Sequence, residues 1–319
     1  MNIFKETKET ITQAKNYLLN GDVISIKSET VYGLVGDATN QVAVKKIFAL
    51  KKRPSKNPLI VHVNSLQMAM KYVIFNPEAE RLAKKFWPGP LTLILPIKKS
   101  SNINRAVVSN INSLAIRIPK SRIFLKLINL TLRPLAGPSA NISGYISSTR
   151  AEHVSECFKN NIKMIIDSGR SLHGLESTIV DMTECPFQIK RYGVINEKHL
   201  SKICKSPIQS PDSLIINSRP NSPGQFYKHY SPKTPLYMNV LKPNNNDAVL
   251  AFGKNYSKNE NTLNLSISGN LVEAAQNLYD FLRKLDKLKT KRIVVNPIPN
   301  QGIGITINER LRRAAYKNE

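Results

Sequence analysis

The sequence predicts an α/β protein with a larger domain over residues 10–198 and a smaller one over residues 236–319. In both parts, short apolar runs alternate with amphipathic segments, which is typical of strands alternating with helices. Between the two parts, residues 199–235 are rich in proline, serine and asparagine. Because proline interrupts helices, we expect a linker there.

The elements of the larger domain follow from local patterns. Amphipathic spacing predicts helices, short apolar runs predict buried strands, and Pro88-Gly89-Pro90 marks a break after one helix. The predicted helices cover residues 5–20, 42–51, 76–87, 122–131 and 152–158. The predicted strands cover residues 23–26, 59–63, 91–95, 114–118, 164–166, 177–180 and 187–192.

The smaller domain repeats the alternation on a shorter scale. An apolar run at 248–252 ends at Gly253 and predicts a strand, and 293–295 predicts another. Residues 271–288 carry apolar side chains at helical spacing along one face. Residues 307–316 predict a closing helix. Together these elements are typical of a small Rossmann-like α/β domain.

The composition is that of a soluble globular protein. Of 319 residues, 41% are hydrophobic and 22% charged, and no apolar run approaches the roughly 20 residues of a membrane helix. The first residues lack the apolar core of a signal peptide, so we expect a cytoplasmic protein. The three cysteines are far apart and form no CxxC pair, so neither a disulfide framework nor a zinc site is expected.

The net charge of +25 has two interpretations. A positive surface attracts nucleic acids and other polyanions. However, the basic residues are spread over the whole chain rather than gathered in one arm, and the abundance of Lys, Asn and Ile together is what A/T-rich codons would produce. Compositional drift and a polyanion-binding surface both remain open.

Several polar clusters between the apolar runs suggest a binding site. Lys51 and Arg53 stand at a predicted helix end before a proline and are either a phosphate clamp or a solvated helix end. Ser139, Asn141 and Ser147 lie in a glycine-containing segment. They either contact a ligand together with backbone N–H groups or satisfy one another in a turn.

Charged and imidazole groups in apolar surroundings raise a further question. Arg117 lies within an apolar strand and needs an anion, which is either an internal carboxylate or a bound substrate carboxylate; Arg191 poses the same question. His62 is a core residue or a catalytic base, whereas His229 lies in the proline-rich segment beside Tyr230. The sequence contains no HExxH, GxSxG or GxxxxGK[ST] motif, which disfavours a zinc protease, a serine hydrolase and a P-loop ATPase.

Taken together, these segments resemble the two-domain form of the L-threonylcarbamoyladenylate synthase family, whose catalytic part is the YrdC domain. The resemblance covers nearly the whole chain. Its motifs occur in the family's order, and the fold it implies is a YrdC-like twisted mixed sheet with flanking helices. The matching segments are SETVYGL, KKRP, NPLIVHV, WPGPLTLIL, LAIRIP, GPSANISG, LESTIVD, IKRYG, SPGQFYKHYSP and GIGITINERLRRAA.

The resemblance implies a nucleotidyltransferase that condenses L-threonine, bicarbonate and ATP into threonylcarbamoyl-AMP and releases pyrophosphate. The product would supply downstream threonylcarbamoyl-transfer proteins that modify an adenosine of tRNA. Mg²⁺ would be held through the phosphates and not by protein ligands. Weak binding of tRNA or other RNA is a further expectation, and no membrane partner is expected.

The resemblance also implies residue roles, and it assigns no nucleophile. Threonine is expected to contact Thr30, His62, Arg117 and Ser177. ATP is expected to contact Arg53, Asn57, Ser113, Ser139, Asn141, Ser147, Arg191 and Tyr230, and Lys51 is a further phosphate contact. Residues 199–235 would act as an active-site lid through Tyr227 and His229.

The sequence departs from the family's pattern at two positions. Lys27 precedes the hydroxyl of Ser28 where relatives often have Pro-Thr, and Gln225 stands where many have Met.

Two alternative functions remain open. One is an RNA-binding or ribosome-maturation protein that uses the basic face of the same fold. The other is carbamoyl-adenylate chemistry for hydrogenase maturation, which usually requires modules for which this chain has no room.

Overall fold

The computed structural model describes residues 2–109, 111–210, 229–254, 256 and 259–315, which form two β-sheets flanked by helices. The strands are β1 (Ile3–Lys5), β2 (Ile24–Lys27), β3 (Tyr32–Asp37), β4 (Ile60–His62), β5 (Leu91–Pro96), β6 (Ser113–Arg117), β7 (Leu135–Ala136), β8 (Ile165–Asp167), β9 (Thr178–Asp181), β10 (Phe187–Arg191), β11 (Ile208–Gln209), β12 (Leu236–Tyr237), β13 (Ala248–Ala251), β14 (Thr262–Asn264) and β15 (Ile293–Val295). The helices are α1 (Lys8–Leu19), α2 (Gln41–Lys51), α3 (Leu66–Ala69), α4 (Pro77–Phe86), α5 (Arg122–Thr131), α6 (Ala151–Phe158), α7 (Glu197–Ser201), α8 (Leu271–Lys287) and α9 (Ile303–Ala315).

The larger sheet is mixed and has the order β1-β8-β2-β3-β7-β4-β6-β5-β9-β10-β11. Strands β4 and β6 are parallel neighbours, and β7 and β5 flank them antiparallel. This arrangement places the carboxyl ends of β4 and β6 side by side. All six residues of β3 are buried, as expected for a central strand covered on both faces. The predicted twisted mixed sheet is confirmed.

The smaller sheet has the order β12-β15-β13-β14 and is parallel throughout. Helices α8 and α9 pack against it. The same apolar cluster includes Val31, Ile146 and Leu175 from the larger unit together with Tyr279 and Leu311 from the two helices. The two units therefore share one hydrophobic core.

Several elements were not predicted, among them α3, α7, β7 and β14, and the structure differs from the predictions at three further places. The predicted helix over 5–20 begins only at Lys8, because Thr7 caps it with its side chain and the preceding residues pair with β8 instead. Strand β3 was not predicted because Gly33 and Gly36 weaken its strand pattern; burial between neighbouring strands outweighs this low propensity. Helix α9 begins at Ile303, four residues before the predicted start.

About half of the predicted linker over 199–235, residues 211–228, lies outside the described residues. At its beginning, β11 pairs with β10 of the larger sheet. At its end, Ser231 forms a bridge with Tyr145, also of the larger unit. The domain limits stay a prediction. None of the helices in the described ranges has both the length and the apolarity that a membrane crossing requires.

Candidate active site

A cavity of about 600 Å³, counting the part that opens to solvent, lies at the carboxyl ends of β4 and β6. The loop before β3, the segments after α2 and β7, and the ends of β9 and β10 nearest the cavity complete its walls. The lining residues are Ser28, Thr30, Val31, Tyr32, Gly33, Arg53, Ile60, His62, Arg117, Phe124, Gly137, Pro138, Ser139, Glu176, Ser177, Arg191, His229 and Tyr230.

The cavity brings together many of the side chains singled out in the sequence. The predicted threonine contacts on it are Thr30, His62, Arg117 and Ser177, and the predicted ATP contacts on it are Arg53, Ser139, Arg191 and Tyr230. The predicted lid residue His229 also lines it, whereas Tyr227 falls outside the described residues. Five further predicted contacts are outside the lining: Lys51, Asn57, Ser113, Asn141 and Ser147. Lys51, Asn57 and Ser147 contact residues that line the cavity, whereas Ser113 begins β6 at the end opposite to Arg117.

Arg117 pairs with an internal carboxylate. Its Nη2 donates to Glu29, its Nε donates to the Gly89 carbonyl at 3.0 Å, and its Nη1 donates to the Thr30 hydroxyl at 3.2 Å. Both partners of the ion pair are 3% exposed. Of the two alternatives left open by the sequence, the structure shows the internal carboxylate. Because a guanidinium has five N–H groups, two remain for a ligand at this wall.

His62 lies beside Arg117, with which it is paired in the register of β4 and β6. Its ring packs on Phe124 at 4.6 Å between ring centroids. Burial, followed by the charge of Arg117, lowers the pKa of His62 to about 3, so the imidazole is neutral at physiological pH. Its buried Nδ1 has no hydrogen-bond partner. A neutral ring with an open nitrogen can accept a hydrogen bond from a ligand.

This lowered pKa predicts a pH dependence of stability. Between pH 6.5 and about 3, the unfolded chain protonates His62 while the folded chain does not. The free energy of unfolding should therefore fall as the pH falls through this window, by up to ~1.4 kcal/mol per pH unit from this group. In urea titrations at several pH values, His62→Gln should show a shallower acid slope than the parent protein. His199→Gln, at an exposed helix position, is the control, and equal slopes in all three proteins would contradict the prediction.

Arg191 and Ser177 form one unit on the opposite wall. The Arg191 Nε and Nη2 donate to the Ser177 carbonyl at 3.1 and 3.0 Å, and Nη2 also reaches the Ser177 hydroxyl at 3.0 Å. The Ser177 hydroxyl bonds Thr92 as well, at 2.8 Å. A predicted threonine contact and a predicted ATP contact are thus directly linked.

Arg53 is held in place from behind. Its Nε donates to the Asn57 carbonyl at 3.0 Å, and its Nη2 donates to the Asn57 side chain and to the Pro58 carbonyl. Burial, and then the charge of Arg191, lower the pKa of Arg53 to about 9. Two arginines therefore repel each other across the cavity, and a bound anion would relieve this repulsion.

Lys51 supports the glycine-containing segment. Its buried Nζ donates to the carbonyls of Ser139 and Asn141, the latter at 2.7 Å. Asn141 in turn donates to the carbonyls of Ile142 and Tyr145. The buried Oδ1 of Asn141 has no hydrogen-bond partner, and Ser139 lines the cavity. The segment therefore combines internal hydrogen bonds with an open acceptor, and both sequence interpretations stay open.

His229 and Tyr230 close part of the cavity. Both are buried, their rings are 4.0 Å apart, and the Nδ1 of His229 and the hydroxyl of Tyr230 have no hydrogen-bond partner. Burial, and then the charge of Arg53, hold the pKa of His229 well below its ordinary value. These open polar atoms beside two arginines add to a site suited to a polar, anionic ligand.

Sequence reasoning missed two carboxylates of the site. Glu29 pairs with Arg117, and Glu176 lines the cavity. Both stand in segments that were read for their hydroxyl groups. For Glu176 a signal was available, because it follows Leu175 in a segment expected to be buried, whereas Glu29 stands between Ser28 and Thr30. Arginines opposed by so few acids can bind an anion and orient a second group.

Two family models match the chain. The model of the Sua5, YciO and YrdC proteins, described as "Telomere recombination", matches residues 16–193. The model described as "Threonylcarbamoyl-AMP synthase, C-terminal domain" matches residues 195–316. Together they account for nearly the whole sequence.

Named relatives extend over the same length. The threonylcarbamoyl-AMP synthase of Pyrococcus abyssi is 35% identical, over 95% of this chain and 93% of its own. That of Bacillus subtilis is 34% identical, over 96% of this chain and 92% of its own. The crystal structure of P. abyssi Sua5 complexed with L-threonine has a TM-score of 0.88 at 33% identity, covering 98% of this chain and 96% of that one.

Proposed function

The chain belongs to the threonylcarbamoyl-AMP synthase family, and from this membership we propose that its cavity is where L-threonine, bicarbonate and ATP become threonylcarbamoyl-AMP. Pyrophosphate is the other product. The observation that carries the assignment to this cavity is that Arg117, Arg53 and Arg191 line one space. Three cations on one space suit a set of ligands that carries a carboxylate and phosphates.

The threonine end of the site is the wall of Arg117 and His62. The threonine carboxylate takes the two open N–H groups of Arg117, and the threonine hydroxyl or amine donates to the open Nδ1 of His62. Thr30 and Ser177 contribute hydroxyls on either side. A neutral His62 fits this role, because a protonated imidazole would repel the ammonium group of threonine.

The nucleotide end is the wall of Arg53 and Arg191, with Ser139 and Tyr230. Both guanidiniums are pre-positioned by hydrogen bonds to carbonyls, so little reorganisation is needed when the phosphates bind. Threonine's neutral amine attacks the bicarbonate carbon, the amine gives up a proton and water leaves, which forms the carbamate. A carbamate oxygen then bonds the α-phosphorus of ATP as pyrophosphate leaves. The protein acts by positioning and by balancing charge.

Mg²⁺ is proposed to reach the site with the phosphates. Among the described residues, no group of three or more acidic, histidine or cysteine side chains lies together as a metal site would require. The charged groups on the cavity wall are three arginines and the Glu176 carboxylate, so the wall favours phosphate, which would carry the ion. When bound, the ion would neutralise phosphate charge.

The predicted lid stays a proposal. His229 and Tyr230 lie against the cavity in the described part of the chain, which supports a role for residues 199–235 in covering the bound substrates. A covered site would keep water from the labile product. The other predicted lid residue, Tyr227, lies in a part of the chain that the structure does not describe.

Transfer of the product to tRNA is the proposed destination. The family name supports this over an RNA-binding or ribosome-maturation protein, since it names a synthase. The net positive charge of +25 would favour a direct interaction with the phosphates of tRNA.

The purified protein should release pyrophosphate from ATP only when threonine and bicarbonate are both present, and release independent of threonine would overturn the proposal.

Loss of either nucleotide-wall arginine should impair the ATP half of the reaction. Arg53→Ala and Arg191→Ala each remove charge-assisted hydrogen bonds to phosphate, so the apparent KM for ATP should rise about tenfold or more. Threonine binding measured without nucleotide should change little in Arg53→Ala, whereas it should weaken in Arg191→Ala, because Ser177 loses the hydrogen bonds that hold it. Arg133→Ala removes an arginine whose side chain is 51% exposed and lies outside the cavity, and it serves as the control. An unchanged ATP titration in both cavity variants would remove these arginines from the site.

A further inference from the structure

Glu176 is a carboxylate on the wall of an otherwise cationic cavity, and both units of the protein hold it. Its Oε1 accepts from the Ser147 hydroxyl at 2.6 Å. Its Oε2 accepts from the Tyr279 hydroxyl at 2.9 Å and from the Arg310 Nε at 3.0 Å. Tyr279 belongs to α8 and Arg310 to α9, so each of these two helices of the smaller unit donates one hydrogen bond to the Glu176 carboxylate.

Arg310 is the most connected of these partners. It is 1% exposed, and its Nη2 donates to the Tyr192 carbonyl at 2.7 Å. Its guanidinium lies 4.7 Å from the ring centroid of Tyr230, and it also pairs with Glu309. Arg310 therefore contacts two residues of the cavity wall, Glu176 and Tyr230, and the backbone carbonyl directly after Arg191.

The charge arrangement gives this contact a consequence. Burial by itself raises the pKa of the Glu176 carboxyl, but the charges of Arg310 and Arg191 and the Ser147 hydrogen bond lower it by more. Glu176 is thus an anion placed between two arginines. If Arg310 were absent, Arg191 would be the remaining cation on the cavity wall able to neutralise it.

We propose that Arg310 is a positioning residue of the reaction, which holds the anion of Glu176 away from Arg191 so that Arg191 stays available to the nucleotide. The smaller unit is then part of the active site. The proposal rests on the proposed function of the cavity. Under this proposal, the smaller unit acts through Arg310 on α9, and Arg310 itself does not contact the substrate.

The proposal predicts that loss of Arg310 imitates loss of Arg191. In Arg310→Ala, the unpaired Glu176 turns to Arg191 and competes with the phosphates. ATP affinity measured by calorimetry should fall about tenfold or more, as expected for a lost charge-assisted contact. Arg310→Lys keeps a positive charge near Glu176, so its ATP affinity should lie between those of Arg310→Ala and the parent protein.

A second substitution separates positioning from simple structural support. Glu176→Gln removes the competing charge while keeping the shape, so the double variant Arg310→Ala/Glu176→Gln should bind ATP more tightly than Arg310→Ala alone. A purely structural role predicts that the double variant binds no better. That result would overturn the proposal.

The pH profile gives an independent readout. The groups that face Glu176 are Arg310, Arg191, Tyr279, Tyr230 and Lys51. Without Arg310, the pKa of Glu176 loses the largest of the causes that lower it and rises relative to the parent protein, so the carboxylate takes up a proton at a higher pH. The ATP affinity of Arg310→Ala should therefore improve relative to the parent protein at lower pH, and the double variant should not show this improvement.

Two controls keep the test decisive. Tyr145→Phe removes another hydrogen bond between the units, from Tyr145 to Asp286 at 2.8 Å, outside the cavity lining, and should leave ATP affinity unchanged. If Arg310→Ala does not fold, Tyr279→Phe removes one donor to Glu176 and should weaken ATP binding in the same direction, and unchanged binding there would overturn the proposal. Because these are binding measurements, a parent protein that binds ATP but releases no pyrophosphate would refute the proposed function and leave this inference separately testable.

Discussion

Replacing Arg117 by alanine should cost about 3–5 kcal/mol of unfolding free energy, because it leaves the buried Glu29 carboxylate without its cation. The sequence left both an internal and a substrate carboxylate open as the partner of Arg117, and the family resemblance assigned it to threonine. The structure adds the internal ion pair, so the substitution affects folding as well as binding. Urea denaturation measures the first effect. The apparent KM for threonine measures the second and should rise by about one to two decades while that for ATP changes little.

The double variant Glu29→Gln/Arg117→Ala distinguishes the two roles. Removing the orphaned charge should restore much of the lost stability, since a neutral amide is cheaper to bury than a carboxylate. Threonine binding should stay weak, because the guanidinium is still missing. If the double variant regains threonine binding together with stability, Arg117 has no direct contact with the substrate.

Replacing Gly193 by alanine should abolish most of the activity. A Cβ at this position would lie 2.2 Å from the Thr178 backbone nitrogen and 2.4 Å from the Ser177 carbonyl carbon, distances that no relaxed structure allows. The backbone must therefore move at Ser177, which Arg191 grips through three hydrogen bonds. We expect a loss of at least about a hundredfold in kcat/KM, since misplacement of positioning groups by about 1 Å has effects of this size.

The matched control is Gly169→Ala. Gly169 has φ of +78°, yet its added Cβ meets nothing within 4 Å. This substitution should cost about 1 kcal/mol of stability through backbone strain and leave kcat/KM nearly unchanged. Equal losses of activity in the two variants would mean that the packing of Gly193 against Ser177 is not what matters.

Most of the secondary structure could be predicted because its signals are local. Helix α5 has the bounds read from the sequence, and α4 starts at its Asn-Pro signal. Strand β3 could not be predicted, because its glycines lower the local propensity and its stability comes from the neighbours β2 and β7. Long-range pairing has no signature inside a window of ten or so residues.

In the candidate site too, residues with a local signal could be predicted, whereas partners that are distant in the sequence could not. Side chains between apolar runs were found one by one, and the family resemblance indicated which of them belong together. The partners Glu29 of Arg117 and Arg310 of Glu176 were missed, since 88 and 134 residues separate each pair. A helical projection would have shown Arg310 on the face that carries Ile307, Leu311 and Ala314, where a buried charge requires a partner.

The shared core of the two units has a consequence for synthesis on the ribosome. Val31, Ile146 and Leu175 are made early, whereas their partners Tyr279 and Leu311 emerge last. Translation adds about 5–20 residues per second, so these apolar side chains remain uncovered for tens of seconds in every nascent chain. During that time the larger unit exposes the surface on which chaperones act and from which aggregation begins. Premature termination before α9 would make this exposure permanent.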